Sequence, residues 1–393
     1  MQQQSDPKLN APPVGLYVHM PWCIQKCPYC DFNSHALHSD LPEAIYIEAL
    51  TLDLEQEKPR LGSRQITSLF IGGGTPSLFS AESISELLQH IQQTVSCSST
   101  MEVTLEANPG TVDDAKFQGY FDAGINRLSI GVQSFSDSQL KQLGRIHNSQ
   151  SALKAIDAAH HAGFSDFNTD LMFGLPGQSI QSAVADVQQA IDLNPSHISH
   201  YQLTLEPETP FYYSPPVLPV DDDIWAMQFA CRELLIDNGY QQYEISAWAK
   251  EDHRCQHNEN YWQFGDYIGI GAGAHGKLTN ITTQQITRCW KQKSPRHYMN
   301  NLKSPQTPNG ISIIEKEDRA FEFMMNQLRL KDGFKINQFN QRTGLTIDKL
   351  EPALSCCISK NLLFNSNNQI GCTEFGWRYL DSILEQFLPD KTI

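Results

Sequence analysis

The chain has 393 residues, with 29 lysine and arginine side chains against 44 aspartate and glutamate side chains. The formal net charge of −15 repels phosphate backbones and anionic lipid headgroups, and this argues against nucleic acid as a partner. No stretch approaches the roughly 18 continuous apolar residues of a membrane helix, so stable membrane insertion is not expected. The start, MQQQSDPKLNAPP, lacks the apolar run of a signal peptide, and we expect a cytoplasmic protein.

Short apolar runs alternate with longer helical patterns from residue 15 onward. This alternation is typical of an α/β fold in which crossover helices wrap a parallel sheet. The predicted strands span residues 16–20, 68–72, 102–107, 127–133, 167–174 and 197–204. The predicted helices span residues 42–58, 80–95, 111–123, 150–162 and 179–192. Ser80 is the expected N-terminal cap of the second helix.

Polar residues recur where these strands end. Each of them alone is explained by a turn or by the start of a helix. In a parallel β/α barrel, however, the loops after the strands share one face, so residues far apart in sequence converge there. Five positions in register therefore predict a site at this face: GGGT at 72–75, Glu106, Gln133, Asp170 and Thr204.

The remaining chain is divided by its composition. A proline-rich crossing at 206–223 follows the sixth strand, and residues 224–276 continue the main body. The C-terminal part has a winged-helix outline, but its acidic and basic residues balance, which argues against DNA binding. The predicted domains are an N-terminal tail at 1–14, a main body at 15–276, a polar irregular connection at 277–314 and a mostly helical domain at 315–393.

Three cysteines, Cys23, Cys27 and Cys30, lie close together in CIQKCPYCDF. The other seven cysteines are spread thinly, so a disulfide framework is not expected in a reducing compartment. A zinc site is one interpretation, with His35 or His38 as the fourth ligand. A 4Fe-4S cluster fits better, because soft thiolates select such clusters and three cysteines leave one iron open to an exchangeable ligand.

The C-x3-C-x2-C spacing, with Tyr29 before the last cysteine, resembles the signature of the radical S-adenosylmethionine (SAM) superfamily. This resemblance implies a partial (β/α)6 TIM-like barrel, which agrees with the six predicted strands. It also implies that the amino and carboxylate groups of SAM chelate the open iron. An electron donor that reduces the cluster is an implied partner, since the reduced cluster can split SAM to a 5′-deoxyadenosyl radical.

Further motifs, over nearly the whole chain, resemble the oxygen-independent coproporphyrinogen III oxidase group: LYVHMPWC, FIGGGTPS, LEANPG, RLSIGVQSF, LGRIH and DLMFGLPGQ. Glycines at a strand end let backbone groups approach a ligand closely, because no Cβ intervenes. Glu106 and Asp170 can accept from an ammonium or from ribose hydroxyls, and Arg145 can pair with a carboxylate. The resemblance implies a SAM site of Tyr17, Tyr29, Gly72, Gly73, Gly74, Thr75, Glu106, Gln133, Arg145 and Asp170.

The chain departs from these oxidases at Phe32, where they carry a fourth cysteine, and this argues against oxidase activity. The stretch CDFNSHA instead resembles the HemW branch, whose members are described as haem chaperones. HNENYW at 257–262 resembles the haem motif of that branch, and an imidazole is a common ligand of haem iron. The implied haem-binding residues are His257 as axial ligand, with Asn258, Tyr261 and Trp262; His19, His147 and His275 are weaker alternatives.

Three functions follow from these patterns. The leading one is a haem chaperone with a 4Fe-4S cluster, exchangeable SAM and haem as cargo, which passes haem to respiratory haem proteins. The alternative is a radical SAM oxidoreductase of porphyrin biosynthesis that oxidises coproporphyrinogen, and Phe32 counts against it. A zinc-stabilised interaction protein is the third. The expected assembly is a monomer or a cluster-linked dimer.

Overall fold

Strands and helices alternate along the computed structural model, which describes residues 6–301 and 310–389. The strands are β1 Val14–Met20, β2 Trp22–Cys23, β3 His35–Ala36, β4 Ile66–Gly73, β5 Cys97–Ala107, β6 Arg127–Gln133, β7 Phe167–Phe173, β8 His197–Gln202, β9 Gln241–Gln242, β10 Ala247–Ala249, β11 Asp266–Ile270, β12 His275–Asn280, β13 Gln285–Trp290, β14 Gly310–Ile314, β15 Phe334–Lys335, β16 Leu363–Ser366 and β17 Gln369–Cys372. The helices are α1 Glu43–Leu61, α2 Ala81–Thr94, α3 Asp114–Ala123, α4 Asp137–Gln142, α5 Ser149–His161, α6 Ile180–Asp192, α7 Pro210–Tyr213, α8 Asp221–Asp237, α9 Gln256–Trp262, α10 Pro295–Asn301, α11 Lys316–Gln327, α12 Ile336–Thr343, α13 Ala353–Ser359 and α14 Leu380–Glu385. None of these helices is long and apolar enough to cross a membrane.

Twelve strands form one sheet, in the order β14-β13-β12-β11-β1-β4-β5-β6-β7-β8-β10-β9. Its centre, from β1 through β4, β5, β6 and β7 to β8, is parallel throughout. These are the six strands expected from the sequence, and α1, α2, α3, α5 and α6 are the five expected crossover helices. The prediction of a partial (β/α)6 barrel is therefore confirmed.

The two faces of the parallel strands have different chemistry because successive side chains point to opposite faces. On β1, Leu16 and Val18 are buried in the same core as Tyr46 and Leu50 of α1. Tyr17, which lies between Leu16 and Val18, instead contacts rings on the inner face of the barrel, including Phe70. The helices thus cover an apolar outer face, and the inner face is left to polar and aromatic side chains.

Residues 277–314 are not an irregular connection, and that prediction is wrong for the part that the structure describes. They contain most of β12, then β13, α10 and β14, which extend the sheet antiparallel beyond β11. The polar composition was misleading because one buried carboxylate, Asp266, satisfies several polar groups of β12. Lys277 Nζ lies 3.1 Å from Asp266 Oδ1, and the Thr279 backbone N–H and hydroxyl both donate to the same carboxylate.

The C-terminal part, predicted at 315–393, contains α11 to α14 and also a small antiparallel sheet in the order β15-β17-β16. Its apolar core includes Phe323, Phe334 and Phe339. Leu9, from the predicted N-terminal tail, is buried in the same core, and its backbone N–H donates to Gln284 at 2.7 Å. Residues 1–5, 302–309 and 390–393 of these predictions lie outside the described ranges.

A buried ion cluster joins α1 to the loop after β13. Lys291 Nζ lies 2.6 Å from Glu57 Oε1 and also donates to Asp53. Asp53 in turn accepts from the Tyr298 hydroxyl at 2.7 Å and from the Gly271 backbone N–H at 3.1 Å. Lys291 and Asp53 are both buried, so each charge depends on the other for compensation.

We expect Lys291→Met to lower the free energy of unfolding by about 3–5 kcal/mol, because it leaves the buried carboxylate of Asp53 without its cation, whereas Glu57 keeps its ion pair with Arg60. The matched control is Lys316→Met, which removes a lysine paired with Asp6 on the surface at 2.7 Å and should cost much less stability. Urea unfolding of both variants measures the difference. Equal losses in the two variants would contradict the assigned role of the buried cluster.

Candidate functional site

A cavity of about 480 Å³ opens at the C-terminal ends of the parallel strands and continues into the barrel. Its size falls in the range of roughly 300–1,000 Å³ that is usual for small-molecule sites. Eleven of the thirteen residues predicted for the cluster and for SAM line this cavity. They are Cys23, Cys27, Tyr29, Cys30, Gly73, Gly74, Thr75, Glu106, Gln133, Arg145 and Asp170.

The other two predicted residues, Tyr17 and Gly72, do not line the cavity. The Tyr17 hydroxyl lies 2.9 Å from His19 Nδ1, and its ring packs on Phe70. Gly72 is buried on β4, where an added Cβ would lie 2.8 Å from the Phe70 ring. Both residues therefore lie behind the cavity wall, and their direct contact with SAM stays a prediction.

Three consecutive backbone N–H groups at the end of β4 organise the cavity mouth. Gly73 N donates to Glu106 Oε2 at 2.9 Å. Gly74 N donates to Met20 O, and Thr75 N donates to Trp22 O, each at 2.7 Å. Glycine is required at 73 because φ is +116°, and a Cβ there would lie 2.5 Å from the His19 ring. The glycine run therefore fixes the start of the cysteine loop relative to the carboxylate of Glu106.

The three cysteines lie in the loop that begins at Cys23, the last residue of β2. The Cys30 backbone N–H donates to Cys27 O at 3.2 Å, which closes a turn. All three thiols are free and half-buried at the cavity mouth. Burial raises the pKa of Cys23 and of Cys30, so a positive group must favour their thiolate forms.

Arg145 supplies a positive charge beside these thiols. Its Nη1 lies 3.7 Å from Cys27 Sγ, and its Nη2 donates to Gly131 O at 2.7 Å. Its Nε is buried with no hydrogen-bond partner among the described residues. Arg145 is therefore not a surface ion pair, and as a cavity-lining residue it places a positive charge beside the thiols, where an anionic ligand would be favoured.

The sequence predicts either a zinc site or a 4Fe-4S cluster at these three cysteines. Among residues 6–301 and 310–389, no three His, Cys, Asp or Glu side chains are arranged to hold a single metal ion. A cubane makes a different demand, because each thiolate binds a different iron of the cluster. Three free thiols around a cavity, with the Arg145 guanidinium beside them, fit a cubane that carries an anionic ligand.

Two carboxylates, Glu106 and Asp170, face the cavity from neighbouring parts of the sheet. Burial raises the pKa of Glu106 to about 7, against the stabilising Gly73 N–H and with a further contribution from Asp170. Burial also raises the pKa of Asp170, although Asn168 Nδ2 donates to it at 2.7 Å. A cationic ligand between them would favour the ionised form of both carboxyls.

Gln133 has a left-handed backbone, with φ of +71°, at the end of β6. Such a conformation is costly for a residue with a Cβ and concentrates at functional sites. The Tyr201 hydroxyl donates to Gln133 Oε1 at 2.6 Å and so fixes the direction of the amide. The prediction placed Gln133 in the site but missed Tyr201.

Sequence reasoning also missed a second ring of cavity residues, which lies two positions before Glu106, Asp170 and Tyr201 on their strands. The inward side chains continue at a spacing of two because of the strand pleat. Extending the register backward from Glu106 and Asp170 would have found the first two, whereas the third lies two positions before Tyr201, which was itself missed. They are Thr104, Asn168 and Ser199.

Helix α9, which carries the HNENYW motif, closes the inner end of the cavity. Glu102 of β5 caps it, because Glu102 accepts from the backbone N–H groups of Gln256 at 2.9 Å and His257 at 3.1 Å. The His257 imidazole is only 8% exposed, and its Nδ1 lies 3.1 Å from Ser68 Oγ. Burial lowers the pKa of His257 to about 4, so the ring is neutral inside the barrel.

The four residues predicted to bind haem do not form one open pocket. Asn258 and Trp262 line the cavity, His257 is buried beside Phe70, and Tyr261 is exposed. Haem iron could reach His257 only if α9 moved, because the imidazole faces the barrel interior.

Known protein families and individual proteins match this chain over most of its length. The model of the Radical SAM superfamily matches residues 17–190, and that of the HemN C-terminal domain matches residues 314–379. "Heme chaperone HemW" of Haemophilus influenzae is 48% identical over 389 residues, which are 98% of this chain and 100% of the relative. The chain belongs to the HemW family. HemW of Escherichia coli is 47% identical, over 97% of this chain and 100% of the relative.

The fold of this HemW-family chain is also that of a solved radical SAM enzyme. Coproporphyrinogen III oxidase (HemN) from Escherichia coli superposes with a TM-score of 0.81, over 98% of this chain and 91% of that chain. The sequence identity is 20%, so this likeness shows the fold alone. Both levels of the resemblance inferred from the motifs, radical SAM and HemW, are therefore confirmed.

We expect Glu106→Gln to change how stability depends on pH. The folded pKa of about 7 lies above the ordinary value of 4.5, so the native state favours the protonated carboxyl. The contribution of the Glu106 carboxyl to the stability of the folded state is complete below pH 4.5 and is lost as the pH rises through 7. Relative to Glu106→Gln, the wild-type chain without ligands should lose up to about 3 kcal/mol across that interval.

Urea unfolding at several pH values measures this difference. Glu86→Gln, at an exposed position of α2, is the control, because it removes a carboxylate from the surface of the protein. A flat profile for Glu106→Gln would contradict the raised pKa.

Proposed function

We propose that this chain is a haem chaperone that carries a 4Fe-4S cluster on Cys23, Cys27 and Cys30 and binds SAM beside it. The observation that carries the proposal is the group of three free thiols at the mouth of a ligand-sized cavity. The relatives named heme chaperones cover the whole chain and support the chaperone part. When bound, the cluster supplies a one-electron reductant and an open coordination position next to the cavity.

The side chains of the chain would then bind and orient SAM. Arg145 is suited to the carboxylate, because it is a positive group that lines the cavity beside Cys27. Glu106 and Asp170 are suited to the ammonium and the ribose hydroxyls, because both face the cavity as acceptors. Gly73 and Gly74 allow close approach of the backbone.

Phe32 favours the chaperone over the oxidase. It occupies the position of the oxidases' fourth cysteine, so no thiol is present there. Its side chain is 58% exposed. An apolar ring at the mouth offers a surface for a planar apolar molecule, not a redox group. Transfer of haem to respiratory haem proteins, and an electron donor for the cluster, belong to the same proposal.

Haem coordination by His257 is proposed with one condition. The imidazole is buried and bonded to Ser68, so helix α9 must move outward before iron can bind. Asn258 and Trp262 would move with it, and the cavity would then open at its inner end.

We expect Cys30→Ala to abolish retention of iron and sulfide after anaerobic reconstitution, because two thiolates cannot hold the cubane. Cys356→Ala, at a half-buried cysteine of α13, is the matched control and should bind iron and sulfide like wild type. Metal analysis and visible absorption measure both. Retention of a full cluster by Cys30→Ala would exclude this residue as a ligand.

We expect His257→Ala to weaken haem binding without loss of cluster. Ser68→Ala removes only the hydrogen bond that holds the imidazole inside, so it should bind haem at least as tightly as wild type. Haem titration of the reconstituted protein, with and without SAM, measures both affinities. A purely structural role for His257 would destabilise the fold and leave haem affinity unchanged, which would refute the assignment.

The chaperone proposal itself is tested with the same reconstituted protein. Incubation with SAM, a reductant and coproporphyrinogen should leave the coproporphyrinogen unchanged. Joint formation of protoporphyrinogen and 5′-deoxyadenosine would overturn the chaperone in favour of the oxidase.

A further inference from the structure

Helix α8 carries two apolar stripes. Met227, Cys231 and Leu235 form the inner stripe and are fully buried in the main core. Trp225 and Phe229, one turn apart, begin an outer stripe and are 51% and 62% exposed. A surface helix normally has one apolar stripe, and a helix that is apolar on both sides is normally covered on both. The outer stripe of α8 is uncovered in the described residues.

The outer stripe lies in a segment of the chain that is rich in exposed apolar side chains. Of 21 large hydrophobic side chains that are exposed in the described residues, seven lie between Tyr212 and Ile236. We call this set the α8 surface: Tyr212, Tyr213, Val217, Val220, Trp225, Phe229 and Ile236. Concentrated exposure of this kind marks interaction sites, whereas singly scattered residues do not.

The segment that carries this surface is anchored on its inner side. Phe211 and Leu218 pack against a small core that includes Leu175 and Leu203. The Tyr213 and Val217 side chains between them face outward. The segment is therefore fixed by packing, and its exposed rings are not part of a loose loop.

The α8 surface continues onto the C-terminal part. Arg232 of α8 pairs with Glu374 at 3.0 Å, on the same helix side as Phe229 and Ile236. The next residue, Phe375, is exposed, and its ring lies 5.1 Å from that of Tyr379. Aromatic side chains and arginine are the residues enriched at the centres of protein interfaces.

The charge around the α8 surface selects the occupant. Between residues 204 and 238 the chain has seven acidic residues, Glu206, Glu208, Asp221, Asp222, Asp223, Glu233 and Asp237, and one basic residue, Arg232. The single basic group is already paired with Glu374. An anionic lipid surface and a second copy of the chain, with the same acidic border, would both be repelled. A partner with basic groups beside an apolar face would be attracted.

The α8 surface adjoins the cavity mouth. The Phe211 backbone N–H donates to Pro28 O at 3.0 Å, within the cysteine loop. The Phe211 ring also lies 6.4 Å from that of Tyr29. A partner that covers the Tyr212 end of the α8 surface would therefore lie near the cysteine loop.

We propose that the α8 surface binds a segment of another protein that has an apolar face flanked by lysine or arginine. This inference goes beyond the proposed function and stands without it, because its test measures binding of a peptide and not of haem.

The test uses the full-length chain and a fluorescent synthetic helical peptide with leucine on one face and lysine on the other. Fluorescence anisotropy should give saturable binding that weakens about tenfold or more in Trp225→Ser/Phe229→Ser. Asp221→Asn/Asp222→Asn/Asp223→Asn should also weaken binding, and added salt should act in the same direction. Ile311→Ser/Ile313→Ser, at exposed isoleucines of the edge strand β14, should bind like wild type.

Equal affinity for wild type and Trp225→Ser/Phe229→Ser would overturn the proposal, as would equal binding of a leucine–glutamate peptide. So would a dimer in sedimentation that the double variant abolishes, because the occupant would then be a second copy. Binding to phosphatidylglycerol vesicles that the double variant abolishes would assign the surface to lipid and would overturn it too. Reconstituted cluster content checks that each variant is folded.

Discussion

Three successive backbone N–H groups, on Gly73, Gly74 and Thr75, hold the two halves of the site in place. One donates to Glu106, and the other two donate to the chain just before the cysteine loop. Because these donors belong to one rigid strand end, the thiols and the carboxylate cannot shift independently. The site is thus positioned by the main chain, and side chains are free to serve the ligand. This explains why glycine occupies both positions. A Cβ at 73 would lie 2.5 Å from the His19 ring, and a Cβ at 74 would lie 2.6 Å from Trp22 O, so each would clash.

The strand pleat sends every second side chain into the barrel, and many of these inward side chains are polar. Most of these groups find partners inside the barrel: Asn168 bonds to Asp170 and to His197, and His197 bonds to Tyr243 at 2.8 Å. Such a network stays satisfied only if its members keep one arrangement. The network therefore gives the cavity a fixed shape below the mouth, where a ligand meets preoriented acceptors.

The parallel core was predictable because local patterns determine it. Alternating strand and helix patterns gave all six strands and their crossover helices, and the C-x3-C-x2-C spacing gave the thiols. The antiparallel extension was not predictable, because Lys277 looks like a loop residue until its burial against Asp266 is known. The direction of the His257 side chain was hidden for a similar reason: a motif gives the residue types, but the partner, Ser68, is distant in sequence.

Trp262 forms part of the cavity floor, and the guanidinium of Arg329 lies 4.3 Å from the centre of its ring on the other side. Arg329 lies two residues after the end of α11 and also pairs with Glu244 at 3.2 Å. Any ligand that displaces Trp262 must therefore disturb a contact made by the C-terminal part. A rearrangement of that part that breaks the same contact would remove this resistance to displacement of Trp262. The contact between Arg329 and Trp262 thus links the barrel cavity to the C-terminal part, although the two residues are far apart in sequence.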